Sequence, residues 1–475
     1  MDATIDVATK TTPTTIASAA ADLRAGTITS AALTATMFER IDAAELLGAF
    51  VCLTRESAMR AAEAADADFA AGVDRGPLQG IPLAVKDIIS TADAPTTANS
   101  RVLAPDWGGG IDAPVVTRLR AAGAVIVGKS TTSEFACGLP DPDKGFPVPR
   151  NPWNPEHSAG GSSSGTGVAV AAGLVLGGLG TDTGGSVRFP AALNGHTGLK
   201  VTYGRVPKNG VVPLGFTLDS IGPMARSAED CALLLDVMAG ADAGDASSAP
   251  VDAPLYSTLI DRGLEGVRVG VPKPYFFDAD GLDLEVRDAV LTAIDLLGAG
   301  GAVISSTIVE NAKLAKEANA ITMVAEAFAY HRRDLATRWT DYGRHTRMTL
   351  GRGALFTAAD YAQAQRFRSA FRSHLAELFA EYDVLVTPTW PVPAPRIDSM
   401  ASEDNVTGPS FCGQWNLAGL PAIAVPCGFS SAGLPVSMQI VGKPFAEATV
   451  LGVAHAYQQI TDWHRHLPPD LAATS

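Results

Sequence analysis

Apolar positions recur at helical spacing through most of the first 75 residues. Ser30 reads as the cap of a run reaching Arg40 and Ala44, and Glu56–Ala71 as an Ala-rich helix with its charges on one side. Ile81–Lys86 reads as a strand, because Pro82 sits at its beginning and the run Leu83, Ala84, Val85 leads into the charged pair Lys86 and Asp87. Val115–Ala122 has an amphipathic helical pattern stopped by Gly123, and Ala124–Val127 follows as a short buried strand. The same order returns at Ala228–Met238 with Val267–Val271, and at Leu284–Leu297 with Ala302–Ser305. Long helical patterns at about 310–335 and 358–381 precede strands at Asp383–Val386, Ala422–Val425 and Ser437–Val441. This alternation predicts an α/β protein in which helices cover both faces of a central sheet. Ala239–Leu264, rich in Ala, Asp, Ser, Pro and Gly, predicts a surface connection rather than a domain boundary. No internal repeat or low-complexity tract is present.

At 475 residues, with 47% hydrophobic and 18% charged residues, the chain has ample material for a large core and is neither a coiled coil nor disordered. Lys and Arg number 36 against 50 Asp and Glu, for a formal charge of −14. No basic run offsets it, so phosphate backbones should be repelled and no nucleic-acid partner is expected. Five cysteines (Cys52, Cys137, Cys231, Cys412, Cys427) are odd in number and form no C-x-x-C pair, which points to a reducing cytoplasm. Met1–Ala20 is polar and Thr-rich, unlike a secretory signal. The longest run lacking both charge and strong polarity, Gly167–Gly180, has 14 residues where a membrane span needs roughly 18, and reads as a buried helix and its exit. No membrane partner is expected.

Three Gly/Ser signals compete. Gly123–Ser130 fits G-x-x-x-x-G-K-[ST], but Ala-Val-Ile-Val in its middle suits a buried strand and not a phosphate-cradling loop. Gly161–Gly165 fits G-x-S-x-G, yet what precedes it is loop sequence (Asn151 to Ser158), whereas a nucleophile elbow needs a hydrophobic strand there. The third signal is the whole stretch from Gly160 to Pro190, where two Gly/Ser turns bracket a segment without charge. One compact helix there would return the chain and set both turns at one end of the sheet, either as tight packing turns or as a site where backbone amides approach a ligand.

This stretch closely resembles the amidase signature family. The likeness includes Gly160–Gly165, Asp182–Ser186, Pro190–Ala192, Gly198–Lys200 and Tyr203–Val206, and extends to Gly80–Asp87, Gly128–Lys129 with Glu134–Ala136, Asp219–Ser227 and Asn416–Pro421. These blocks run from about residue 15 to 465. The resemblance implies one α/β/α domain over 1–475 built on a large mixed, twisted sheet. Its signature core would cover about 75–230, and about 265–465 would complete the same sheet.

The resemblance also implies a Ser-cisSer-Lys triad of Lys86, Ser162 and Ser186, with the two serines 24 positions apart as in the family. Neutral Lys86 would draw a proton through Ser162 so that Ser186 Oγ attacks a carbonyl, and water would later release the acyl group. Lysine is normally charged at neutral pH, so the site must be buried, and activity should rise on the alkaline side. Amides of Thr183, Gly184, Gly185 and Ser186 would form the oxyanion hole. Asp182 and Arg188 are expected to brace the turn, and His157 and His196 to be structural. No metal and no cofactor are expected.

Apolar candidates for the substrate pocket are Cys137, Gly138 and Leu139 (with the loop on to Phe146 and Pro147), Gly215 and Phe216, and Phe411 to Trp415. They favour a neutral small-molecule aryl or alkyl amide, with esters and carbamates also within reach. An alternative is the glutaminase (A-type) subunit of a tRNA-dependent amidotransferase. Such subunits carry an acidic residue before the Asn-Leu-Ala-Gly block, where this chain has Gly408–Gly413. A catalytically silent binding or scaffold subunit is a further alternative, against which the intact triad argues. The resemblance leaves a homodimer open.

Overall fold

A computed structural model describes residues 13–399 and 409–469. Most of the N-terminal stretch read for a signal, and Gly408, lie outside the described residues.

Among the described residues the core is one mixed sheet of eleven strands: β1 (Phe50–Leu53), β2 (Pro82–Lys86), β3 (Val125–Ser130), β4 (Gly177–Asp182), β5 (Thr197–Lys200), β6 (Ser220–Ala225), β7 (Arg268–Pro272), β8 (Val303–Thr307), β9 (Val384–Pro388), β10 (Ala422–Phe429) and β11 (Pro435–Gly442). Their spatial order is β1-β3-β2-β4-β6-β5-β10-β11-β9-β7-β8. β2 runs parallel to β3 and β4, whereas β6 is antiparallel to β4 and β5. Strands from before residue 230 and from after 265 therefore share one sheet, joined where β5 pairs with β10. All residues of β2, β3, β4 and β6 are buried, as expected of strands covered on both faces.

Several expectations need adjustment. The first 75 residues are not wholly helical, because Phe50–Leu53 forms an edge strand on β3. Thr29, not Ser30, caps the helix Ser30–Ala43: its hydroxyl accepts from the Ala32 amide, while Ser30 Oγ donates to the Gly80 carbonyl. Gly128, Lys129 and Ser130 lie inside strand β3, so this G-x-x-x-x-G-K-S run is no phosphate loop. The helices Ala312–Thr337 and Ala358–Glu381 match the long patterns seen in the sequence. Among the described residues no helix is long and apolar enough to cross a membrane.

Strand β4 reads Gly-Gly-Leu-Gly-Thr-Asp, a poor strand by propensity. A Cβ at Gly180 would lie 2.5 Å from Met224 Sδ and 2.8 Å from Ser163 Oγ. The glycine is what lets the serine turn press against the end of the sheet.

Candidate active site

Three sheet-end segments meet around one side chain. Lys86 closes β2, Thr181 lies near the end of β4, and Ser162 and Ser163 lead into the helix Ser164–Ala171. Lys86 is fully buried, and its Nζ lies 2.7 Å from Ser162 Oγ, 3.0 Å from Ser163 Oγ and 2.8 Å from Thr181 Oγ1. Its chain neighbour Asp87 is no partner. Asp87 instead forms a buried ion pair with Lys129 at 3.4 Å and accepts from the Thr97 amide. With hydroxyls alone as its partners among the described residues, burial pushes the Lys86 amine down to about 7, against the pull of the Asp182 and Asp219 charges.

The Ser163 hydroxyl donates to the Thr181 carbonyl at 3.2 Å, so its proton is committed. When Lys86 is neutral, its lone pair is left to the Ser162 or Thr181 hydroxyl, and of these two Ser162 lines the cavity. The Gly161–Ser162 peptide is cis. The Ser162 carbonyl is held by Thr132 Oγ1 at 2.9 Å and the Ser133 amide at 3.2 Å.

The turn after β4 is fixed by Asp182. Its carboxylate accepts from the amides of Gly185 (2.7 Å) and Val187 (3.2 Å), from Arg188 Nε (3.0 Å) and from Asn416 Nδ2 (2.8 Å). Burial alone would raise this carboxyl, but the Arg188 guanidinium holds it well below the usual carboxylate range. Arg188 donates further to Gln439 Oε1 at 3.0 Å and Asn416 Oδ1 at 2.6 Å. Asp182 and Arg188 thus brace the turn from both sides. Replacing Asp182 with Asn should lower unfolding free energy by roughly 3–5 kcal/mol, because a fully buried Arg188 loses its counter-charge. Urea titration tests this, and a loss under about 1 kcal/mol would contradict it.

Ser186 is half-buried at the end of this turn. Its carbonyl accepts from the Ser163 amide at 3.2 Å, which ties the two serine segments together. Of the four amides expected to face an oxyanion, that of Gly185 is taken by Asp182; the Thr183 hydroxyl is held on Asp219 at 2.6 Å, and Thr183 does not line the cavity. Gly184 and Ser186 line the cavity, and among the described residues neither amide has a hydrogen-bond partner. Gly185 has φ +134°, and a Cβ there would lie 2.3 Å from the Phe189 ring, so only glycine fits.

Ser162, Gly184 and Ser186 open onto a cavity of about 590 Å³. Its wall includes Cys137, Gly138, Leu139, Phe189, Met323 and Trp390. Arg150, Lys316 and His345 also reach it, and no motif or periodicity marks any of them in the sequence. Among the described residues no carboxylate lines it.

Two expected pocket residues are elsewhere. Phe216 is 58% exposed and lies under Lys208 Nζ, 4.0 Å from its ring centre. Trp415 is fully buried and stacks on Phe276 at 5.6 Å, facing a packing cluster behind the site. From the stretch Phe411 to Trp415 only Gly413 lines the cavity, together with Ser410 just before it. Trp415→Ala should therefore cost roughly 3–5 kcal/mol of stability and leave amide selectivity unchanged. A changed selectivity profile at full stability would return Trp415 to the pocket.

His157 Nδ1 meets the Ala394 carbonyl at 2.6 Å, and His196 is buried with burial pushing its imidazole down to about 4; neither lines the cavity. Among the described residues no three His, Cys, Asp or Glu side chains converge as a metal site requires.

Known proteins share this architecture. The family model described as Amidase matches residues 32–451. The A-type subunit of the glutamyl-tRNA(Gln) amidotransferase of Chloroflexus aurantiacus is 41% identical over 488 residues, covering 96% of this chain and 98% of that one. A solved structure described as a vestigial protein complex that reveals the evolutionary origins of an s-triazine catabolic enzyme aligns with a TM-score of 0.88 and 32% identity, over 94% of this chain and 98% of that one. The corresponding A-type subunit from Thermotoga maritima aligns with a TM-score of 0.72 and 33% identity, over 82% and 84% of the two chains.

These relatives correct one expectation. Net charge argues against nucleic acid and for a small-molecule partner alone, yet near full-length relatives bear the name of one subunit of a glutamyl-tRNA(Gln) amidotransferase. A sum over one chain does not decide what an assembly holds, since a different subunit can carry the basic surface.

Proposed function

The chain belongs to the amidase family, and from that premise we propose that Lys86, Ser162 and Ser186 cleave a carboxamide through an acyl-enzyme. The observation that carries the proposal is the contact of Lys86 Nζ with Ser162 Oγ at 2.7 Å, on the wall of the cavity that also holds Ser186. Neutral Lys86 accepts the Ser162 proton as Ser162 takes that of Ser186, and Ser186 Oγ adds to the amide carbon. The amides of Gly184 and Ser186 stabilise the oxygen that gains charge. Ser162 then passes its proton to the leaving nitrogen, and ammonia or an amine departs. Water, activated by the same relay, cleaves the ester and restores Ser186.

The relatives favour an ammonia-liberating A-type subunit, with glutamine as the amide and a tRNA-linked acceptor in the assembly. One observation favours a second reading. The cavity wall is largely apolar and, among the described residues, offers no carboxylate to the α-ammonium of glutamine. That suits a neutral aryl or alkyl amide. Ammonia release from glutamine and from benzamide separates the two, measured on the chain alone and with the remaining subunits of a glutamyl-tRNA(Gln) amidotransferase and glutamyl-tRNA(Gln). Glutamine turnover that depends on the added subunits supports the first reading, and benzamide turnover by the chain alone supports the second. Release from neither sinks both.

The pH dependence follows from Lys86. Below about 7 its neutral fraction falls tenfold per pH unit, so kcat/KM should rise tenfold per unit up to about pH 7 and then level off. A profile flat from pH 5 to 9 would contradict a lysine base.

A further inference from the structure

The helix Ala358–Glu381 carries two arginines one turn apart, Arg368 and Arg372, outside the reaction cavity. Arg368 is only 6% exposed. Its terminal nitrogens donate to Thr217 Oγ1 at 2.8 Å and to the Thr217 carbonyl at 2.7 Å, but its buried Nε has no partner among the described residues. Arg372 Nε donates to the Ala418 carbonyl at 2.9 Å. Glu326 is near, but it is occupied by the Thr217 amide (2.9 Å), Thr217 Oγ1 (2.7 Å) and the Tyr361 hydroxyl (2.8 Å), and makes no ion pair with either arginine.

Both guanidiniums line a cavity of about 620 Å³. It abuts a second cavity of about 520 Å³, with Tyr203, Arg372 and Ala376 common to both. The second is walled mainly by apolar groups, among them Leu375, Phe379 and Phe445, with the exposed Lys443 beside them. Among the described residues no carboxylate lines either cavity, and neither Arg368, Arg372 nor Lys443 forms an ion pair. A buried guanidinium without a counter-charge is costly, and arginine cannot shed its proton to relieve that cost. Two guanidiniums side by side add repulsion.

We propose that this cleft binds an organic anion: Arg368 and Arg372 hold its carboxylate or phosphate, and its apolar body fills the adjoining cavity. Glu326 reaches Arg368 only through Thr217 Oγ1; the anion supplies a direct counter-charge through charge-assisted hydrogen bonds, to which a planar guanidinium pair is well matched. Tyr203, whose ring carries Lys208 Nζ 4.8 Å from its centre, lines both halves where the charged and apolar ends of the ligand meet. The site is independent of the reaction assigned above and shares no lining residue with that cavity.

Isothermal titration of the full chain with phenyl phosphate, benzoate and phenol tests it. At least one of the two anions should bind at one per chain, with phenol at least about tenfold weaker. Binding by phenyl phosphate alone identifies a phosphate ligand, and binding by benzoate alone a carboxylate; either supports the site. Arg372→Gln should weaken binding at least about tenfold, and Lys443→Gln should weaken it in the same direction, whereas Arg150→Gln in the reaction cavity should leave it unchanged. No binding of either anion, phenol binding as tightly, or loss in Arg150→Gln with Arg372→Gln unaffected would overturn the proposal.

Discussion

Ser186→Ala should lower kcat for amide hydrolysis by at least about 10⁴-fold with no change in the thermal midpoint. Both halves follow from the geometry. Ser186 Oγ makes no hydrogen bond among the described residues, whereas the surrounding backbone is pinned by Asp182 at Gly185 and Val187 and by the Ser163 amide at the Ser186 carbonyl. Removing one oxygen therefore takes away the proposed attacking atom and leaves the turn standing. Activity within tenfold of wild type would place the nucleophile elsewhere.

Lys86→Met should lower kcat by at least about 10³-fold and abolish the rise of rate with pH. It should also separate chemistry from stability. Lysine is charged below about 10.4 when unfolded, and Lys86 only below about 7 when folded. The folded state thus carries the full cost of burying that charge below pH 7, and the cost fades as pH rises towards 10.4. Methionine removes it, so the variant should gain up to roughly 4 kcal/mol below pH 7, offset in part by three hydroxyls that lose the amine. The gain should shrink at alkaline pH. A variant equally destabilised at pH 6 and pH 9 would mean that Lys86 serves the fold more than the reaction.

Legibility in the sequence follows the strength of periodic signals. The long helices at 312–337 and 358–381 and the apolar strands β3, β9 and β11 announce themselves, because burial on a regular period leaves a plain pattern. The centre of the sheet does not. β4, β5 and β6 are built on Gly, Thr and Pro: a Cβ would meet Ser163 at Gly180 of β4, Ala191 and Val187 at Gly198 of β5, and the Leu199 carbonyl at Gly222 of β6, so small residues stand where a typical strand has Val or Ile. These strands are reached only through a resemblance.

The site divides in the same way. Lys86, Ser162 and Ser186 are reached through the family resemblance, and the structure brings the segments that carry them to one cavity wall. Ser163 and Thr181, which hold the amine, are not legible, because nothing in a run of hydroxyl residues says which of them turns inward. Trp415 and Phe216 mislead for a related reason: an aromatic side chain packs a core, caps a lysine or walls a pocket with the same letter. In the sequence the oxyanion turn offers four equivalent amides, although Asp182 claims one of them in the fold.

The central claim is that Ser186 is an activated nucleophile, and intact-mass spectrometry after exposure to a fluorophosphonate tests it without any choice of substrate. The account expects one phosphonyl adduct on wild type, none on Ser186→Ala and markedly slower labelling of Lys86→Met. A single adduct that persists on Ser186→Ala would contradict it.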